Sequence, residues 1–105
     1  MTENEIKLKA VAALTGLRGG VQPDYVSDLL SEVVPRHFVV PVPADPQSIG
    51  LSVLSQLSQP LSALLSGFVL AFETLAEAYD RTDPDVPIET LLQELALALA
   101  REDSR

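Results

Sequence analysis

The side chains best suited to chemistry are few and scattered. His37 is the single histidine, it follows Arg36, and the chain has no cysteine. A zinc site needs three or four thiolate, imidazole or carboxylate ligands, so a lone imidazole without thiolates predicts no metal centre, and His37 reads as a loop residue. No nucleophile elbow, glycine-rich phosphate loop or paired-histidine motif occurs, which leaves only carboxylates for acid–base work. The densest acidic run is Asp80-Arg81-Thr82-Asp83-Pro84-Asp85-Val86-Pro87. A calcium loop carries acids on alternate positions, a central glycine and a glutamate at the twelfth, and this run lacks that spacing. It reads as a turn whose aspartates cap and whose prolines sit at a helix start. Gly16-Leu17-Arg18-Gly19-Gly20 follows a helical pattern where a phosphate loop follows a strand, and it lacks the lysine, so it reads as a helix stop. The expectation is a protein without catalytic, cofactor-binding or metal-ligating residues, and hence not an enzyme.

Composition narrows the remaining classes. The 105 residues suffice for one domain, and the apolar fraction is concentrated in Leu, Ala and Val, with no Trp, which favours helices. The expected fold class is all-α, a single helical domain over residues 1–105. A net charge of −8 repels phosphates and anionic membrane surfaces, so neither nucleic acid nor membrane is the expected partner, whereas another protein is charge-compatible. No apolar run of signal-peptide length occupies the first twenty residues, and a cytoplasmic location is the expectation.

Helix signals then divide the chain. Thr2-Glu3-Asn4-Glu5 has the capping-box pattern, and Ile6, Ala10, Ala13, Leu14 and Leu17 follow at helical spacing, which predicts a first helix over about 3–15. Pro23 and Asp24 open a second over about 23–34, with Tyr25, Val26, Leu29, Leu30 and Val33 on one face. The pair has the rhythm of a DNA-reading helix-turn-helix. Its connection is several residues too long, however, and Asp24, Asp28 and Glu32 stand where phosphates and base edges need donors, so it reads as two packed helices. His37-Phe38-Val39-Val40-Pro41-Val42-Pro43 predicts an extended strap or an edge strand. A final helix over about 87–101 is expected to bury Ile88, Leu91, Leu92, Leu95 and Leu99, with residues 102–105 frayed.

Between these lies the longest signal. Pro46 to Phe72 contains no charged side chain, and Leu54, Leu57, Leu61, Leu64, Leu65, Phe68, Phe72, Leu75 and Tyr79 share one sector about 100° wide. Because Leu54 and Leu57 before Pro60 share that sector with Leu61 and Leu64 after it, a single helix over 47–80, kinked at Pro60, is predicted. Such a helix would be roughly 50 Å long, more than a small domain covers. The opposite face carries Ser48, Ser52, Ser55, Ser62 and Ser66 in its first half and Glu73, Glu77 and Asp80 in its second. Small uncharged serines allow close approach by a second backbone, so this first half is expected to be covered. Ser and Gln interrupt the apolar run too often for a membrane span.

The expected function is assembly, either self-association or docking as an adaptor in a larger complex. Leu54, Leu57, Leu61, Leu64, Leu65, Phe68 and Phe72 would anchor the interface, with Ser62 and Ser66 permitting close approach. The alternative is a small acidic regulator, an inhibitor, an antitoxin-like protein or a nucleic-acid mimic, that presents Glu73, Glu77, Asp80, Asp83, Asp85 and Glu89 to a basic protein surface.

Overall fold

The computed structural model describes residues 1–42 and 45–103. Four helices follow in chain order: α1 (Glu3–Arg18), α2 (Pro23–Ser31), α3 (Pro46–Asp80) and α4 (Ile88–Asp103). Among the described residues there is no strand, and the fold is all-α. The chain divides into two compact units, Met1–Ala71 and Phe72–Arg105, and the uninterrupted α3 contributes to both.

In the first unit, the capping box forms as its spacing predicts: the Glu5 N–H donates to Thr2 Oγ1 at 3.1 Å and the Thr2 N–H to Glu5 Oε2 at 3.3 Å. The helix then runs three residues past the expected end at 15, because Gly16 serves a contact and not a stop. A Cβ there would lie 3.0 Å from Val21 Cγ2 and 3.4 Å from Tyr25 Cε1, so its absence lets the start of α2 pack against α1. The stop falls to Gly19, whose N–H donates to Thr15 O at 2.9 Å, and to Gly20 at φ 84°, where glycine is at no steric disadvantage.

The second helix ends at Ser31, earlier than the expected 34. Pro35 disfavours helical backbone at Val34, and the Val33 and Val34 N–H groups turn to the carbonyls of Leu30 and Ser31 in a tighter turn. That turn carries Val33 inward, where it meets Ile6 and Ala63 in a small buried cluster with Leu64 packed against it. An ion pair between Lys9 and Glu32 ties α1 to the end of α2.

Residues 36–42 form no strand. The strap lies along α3 through a side-chain amide instead: the Val39 N–H donates to Gln56 Oε1 at 2.8 Å, while Gln56 Nε2 donates to Val39 O at 2.7 Å. Ser52 Oγ adds a bond to the same carbonyl at 3.1 Å. Pro43, the last residue of the expected strap, lies outside the described residues, as does Ala44.

Asp45 caps α3, accepting from the Ser48 N–H at 2.9 Å and the Ser48 hydroxyl at 2.8 Å. The helix continues through Pro60, as the shared sector of its leucines predicts. In the second unit, α3 ends in a turn where Thr82 Oγ1 donates to Tyr79 O at 2.6 Å and Tyr79 Oη to Val86 O at 2.7 Å. Asp83 sits at φ 53°, in the left-handed region.

The expectation for α4 needs correction. Leu91, Leu92, Leu95 and Leu99 are exposed and Ile88 is half-buried, so among the described residues this helix buries none of its leucines. Glu102 and Asp103 are helical where fraying was expected, and residues 104 and 105 lie outside the described residues.

Candidate interaction surface on the central helix

Two faces of α3 differ in what meets them. The covered one is built from the smallest side chains: Ala63 and Gly67 are buried, as are Ala10 and Ala13 on α1. A Cβ on Gly67 would stand 2.8 Å from Ala10 Cβ, 3.0 Å from Lys7 Cα and 3.1 Å from Lys7 O, so the backbones of α1 and α3 meet there. Ser52 and Gln56, one turn apart, receive the strap. Close approach by small residues is therefore a feature of α3, but its main seat is Ala63 and Gly67, not the serines. Ser55, Ser62 and Ser66 are exposed. Ser62 and Ser66 border an open groove of about 720 Å³ that also reaches Met1, Glu3, Glu32 and Pro60.

The leucine sector lies on the other side. Leu54 is 60% exposed, Leu61 37%, Leu65 64% and Phe72 48%. Leu57 and Phe68 are half-buried, and Leu64 belongs with the core cluster of Ile6, Val33 and Ala63. Of the anchors read from the sequence, Leu64 thus serves its own fold, whereas Leu54, Leu61, Leu65 and Phe72 face outward. Leu51, Val69 and Leu75 are also exposed on α3. Leu51 and Val69 fall just outside the sequence-defined sector, and only the position of α1 and the strap reveals that the open face is centred nearer to them.

The acidic residues lie in the second unit, on the end of α3, the turn and the start of α4. Glu73, Glu77, Asp80, Asp83, Asp85 and Glu89 are all exposed, and Glu77 accepts from Arg81 at 2.6 Å. The Asp45 carboxyl is held below its usual range, chiefly because the Ser48 N–H bonds its charged form, with the Ser48 hydroxyl adding to it. His37 is exposed, and among the described residues no three His, Asp or Glu side chains converge.

Among those residues α3 is also the one helix long and apolar enough to cross a membrane. The Lys7 backbone touches Gly67, and Glu3 and Glu32 share the groove with Ser62. No protein-family model matches the chain, and no curated protein or solved structure is significantly similar to it.

Proposed function

We propose that this chain is a non-enzymatic assembly protein that self-associates, or docks as a subunit of a larger complex, through the outward face of α3. The observation that carries this reading is that Leu54, Leu61, Leu65 and Phe72 stand exposed along a helix with no charged side chain from Pro46 to Phe72. Scattered exposed leucines are ordinary on protein surfaces, but a contiguous apolar stripe of this extent favours association. The acidic remainder, −6 over residues 73–105, supplies solubility without entering the stripe.

Light scattering of the purified chain, at low and at high salt, tests the reading. A mass above that of the monomer at micromolar concentration, retained in high salt, is the expected result. A monomer under both conditions removes the self-association arm. A complex with a basic protein that dissolves as salt rises transfers the function to Glu73, Glu77, Asp80, Asp83, Asp85 and Glu89.

A further inference from the structure

The outward face of α3 has a finer order than amphipathicity. Leu51, Ser58, Leu65 and Phe72 recur every seven residues, and Leu54, Leu61, Phe68 and Leu75 recur every seven with an offset of three. This is the alternating three-and-four spacing of a coiled-coil seam. It is not the set that the strap and α1 meet, which is Ser52, Gln56 and Gly67; Leu57, Leu64 and Ala71 on one flank are half-buried, whereas the seam is exposed apart from the half-buried Phe68. Resting on the assembly reading above, we propose that the occupant of this seam is α3 of a second copy, packed antiparallel and in a register centred on Ala63.

Three observations select that partner and orientation. Charge comes first. The positions flanking the seam are Ser55, Ser62, Val69 and Ala76 on one side and Leu57, Leu64 and Ala71 on the other. None is charged, so two copies of a chain with net charge −8 can meet here without opposing like charges. A parallel pair would still set two C-terminal segments of −6 side by side. An antiparallel pair in this register sets the two Glu73 positions about 30 Å apart and the two Asp80 positions about 50 Å apart by helix rise, both beyond a screening length of about 8 Å. It also brings Glu77 and Asp80 of each copy to the other's Pro46 end, where the helix dipole is positive.

Size complementarity is the second observation. With the pair centred on Ala63, Leu51 meets the second copy's Leu75, Leu54 its Phe72, Ser58 its Phe68 and Leu61 its Leu65. Every small or medium side chain then faces a larger or equal one. A parallel pair would face Ser58 with Ser58, leaving a gap, and crowd Phe68 and Phe72 against themselves. This register also overlaps α3 along its full span from Pro46 to Asp80. The third observation is area: the exposed fractions of the seam side chains amount to roughly 600 Å² of apolar surface per copy, approaching the ~800 Å² per partner of a standard stable interface.

Because the chain has no cysteine, single spin labels can be placed at will. Gln47→Cys and Glu77→Cys, both exposed positions on α3, are each labelled in the full chain, and masses and helicity are compared with the parent. For a dimer, the antiparallel register predicts distances of about 40–50 Å between like labels and under about 25 Å when the two labelled chains are mixed. A dimer with short like-label distances overturns the orientation while leaving the assembly reading intact. A monomer at micromolar concentration overturns both. A stable trimer or larger species, or association seen only on lipid vesicles, replaces the paired second copy with another occupant. Gly50→Cys and Glu73→Cys form a second labelling pair if either first site lowers helicity.

Discussion

At the scale of the residue, Gly67 shows how a position that is unfavourable for its helix is required by the contact it makes. A glycine inside a helix costs about 1 kcal/mol relative to alanine, and the sequence offers no compensating reason because the partner residues, Lys7 and Ala10, are remote in the chain. Gly67→Ala would press a methyl against the α1 backbone, an overpacking of about 1–3 kcal/mol that outweighs the propensity gain. Gly50, with nothing within 4 Å of its missing Cβ, is the control: Gly50→Ala is expected to stabilise by about 0.5–1 kcal/mol. Chemical melts of the two variants should therefore move in opposite directions, and a Gly67→Ala protein as stable as Gly50→Ala would refute the α1–α3 contact. Asp45, by contrast, caps its helix through Ser48, only three residues away. Its carboxyl titrates below the usual range in the folded chain, so the stabilisation it brings is complete above the unfolded value of about 3.9 and is lost as pH falls through the lower folded value. Asp45→Asn caps without titrating. The parent's advantage in melting temperature over Asp45→Asn should accordingly be present at pH 7 and vanish in strong acid; an advantage unchanged down to pH 2 would show that the cap is not the titrating group.

At the scale of the element, the starts of helices were easier to read than their ends or their buried faces. Thr2, Pro23 and Asp45 act within a few residues of themselves, so local chemistry determines the outcome. The ends of α1 and α2 moved because Gly16 answers to Tyr25 and because Pro35 acts backwards on Val34. The continuity of α3 was legible in azimuth, since leucines on both sides of Pro60 share a sector. Which side of α3 would be covered was not, because a helix pattern shows where apolar residues lie and not where the remaining elements arrive. Covering here is done by α1 at Gly67 and by the strap through Gln56. Gln56→Leu keeps the bulk and removes the paired amide bonds to Val39, worth about 1 kcal/mol each. Hydrogen exchange at Val39 should accelerate in that variant while exchange in the core of α1 stays near the parent rate. Equal exchange at Val39 in both proteins would mean that the strap is held by something other than Gln56. The turn before α4 gives an independent check: Asp83 at φ 53° carries the steric cost of a left-handed backbone, so Asp83→Gly should stabilise the turn by up to about 1 kcal/mol, read as slower exchange around Thr82.

At the scale of the whole molecule, the all-α class and the four helices were readable from composition and periodicity, but the division of the leucines between core and surface was not. Leu64 and Leu65 are neighbours in sequence and members of the same apolar sector, yet Leu64 packs against Ile6, Val33 and Ala63 while Leu65 is among the most exposed leucines of α3. The two therefore separate folding from assembly. Leu64→Ala removes contacts from a small core and is expected to lower stability by about 1–3 kcal/mol, less than a fully buried leucine would cost. Leu65→Glu leaves that core untouched, and in an isolated chain its carboxylate would stay in water, so dichroism should resemble the parent. In an assembly built on the outward face the same carboxylate would be buried without a partner, a cost of several kcal/mol that should shift the mass to that of the monomer. Salt sharpens the distinction, because two acidic copies meeting on an uncharged face repel each other less as ionic strength rises, so the parent's association should hold or strengthen in high salt. A Leu65→Glu protein that keeps the parent's mass at every salt concentration would show that the outward leucines of α3 are not where this chain assembles.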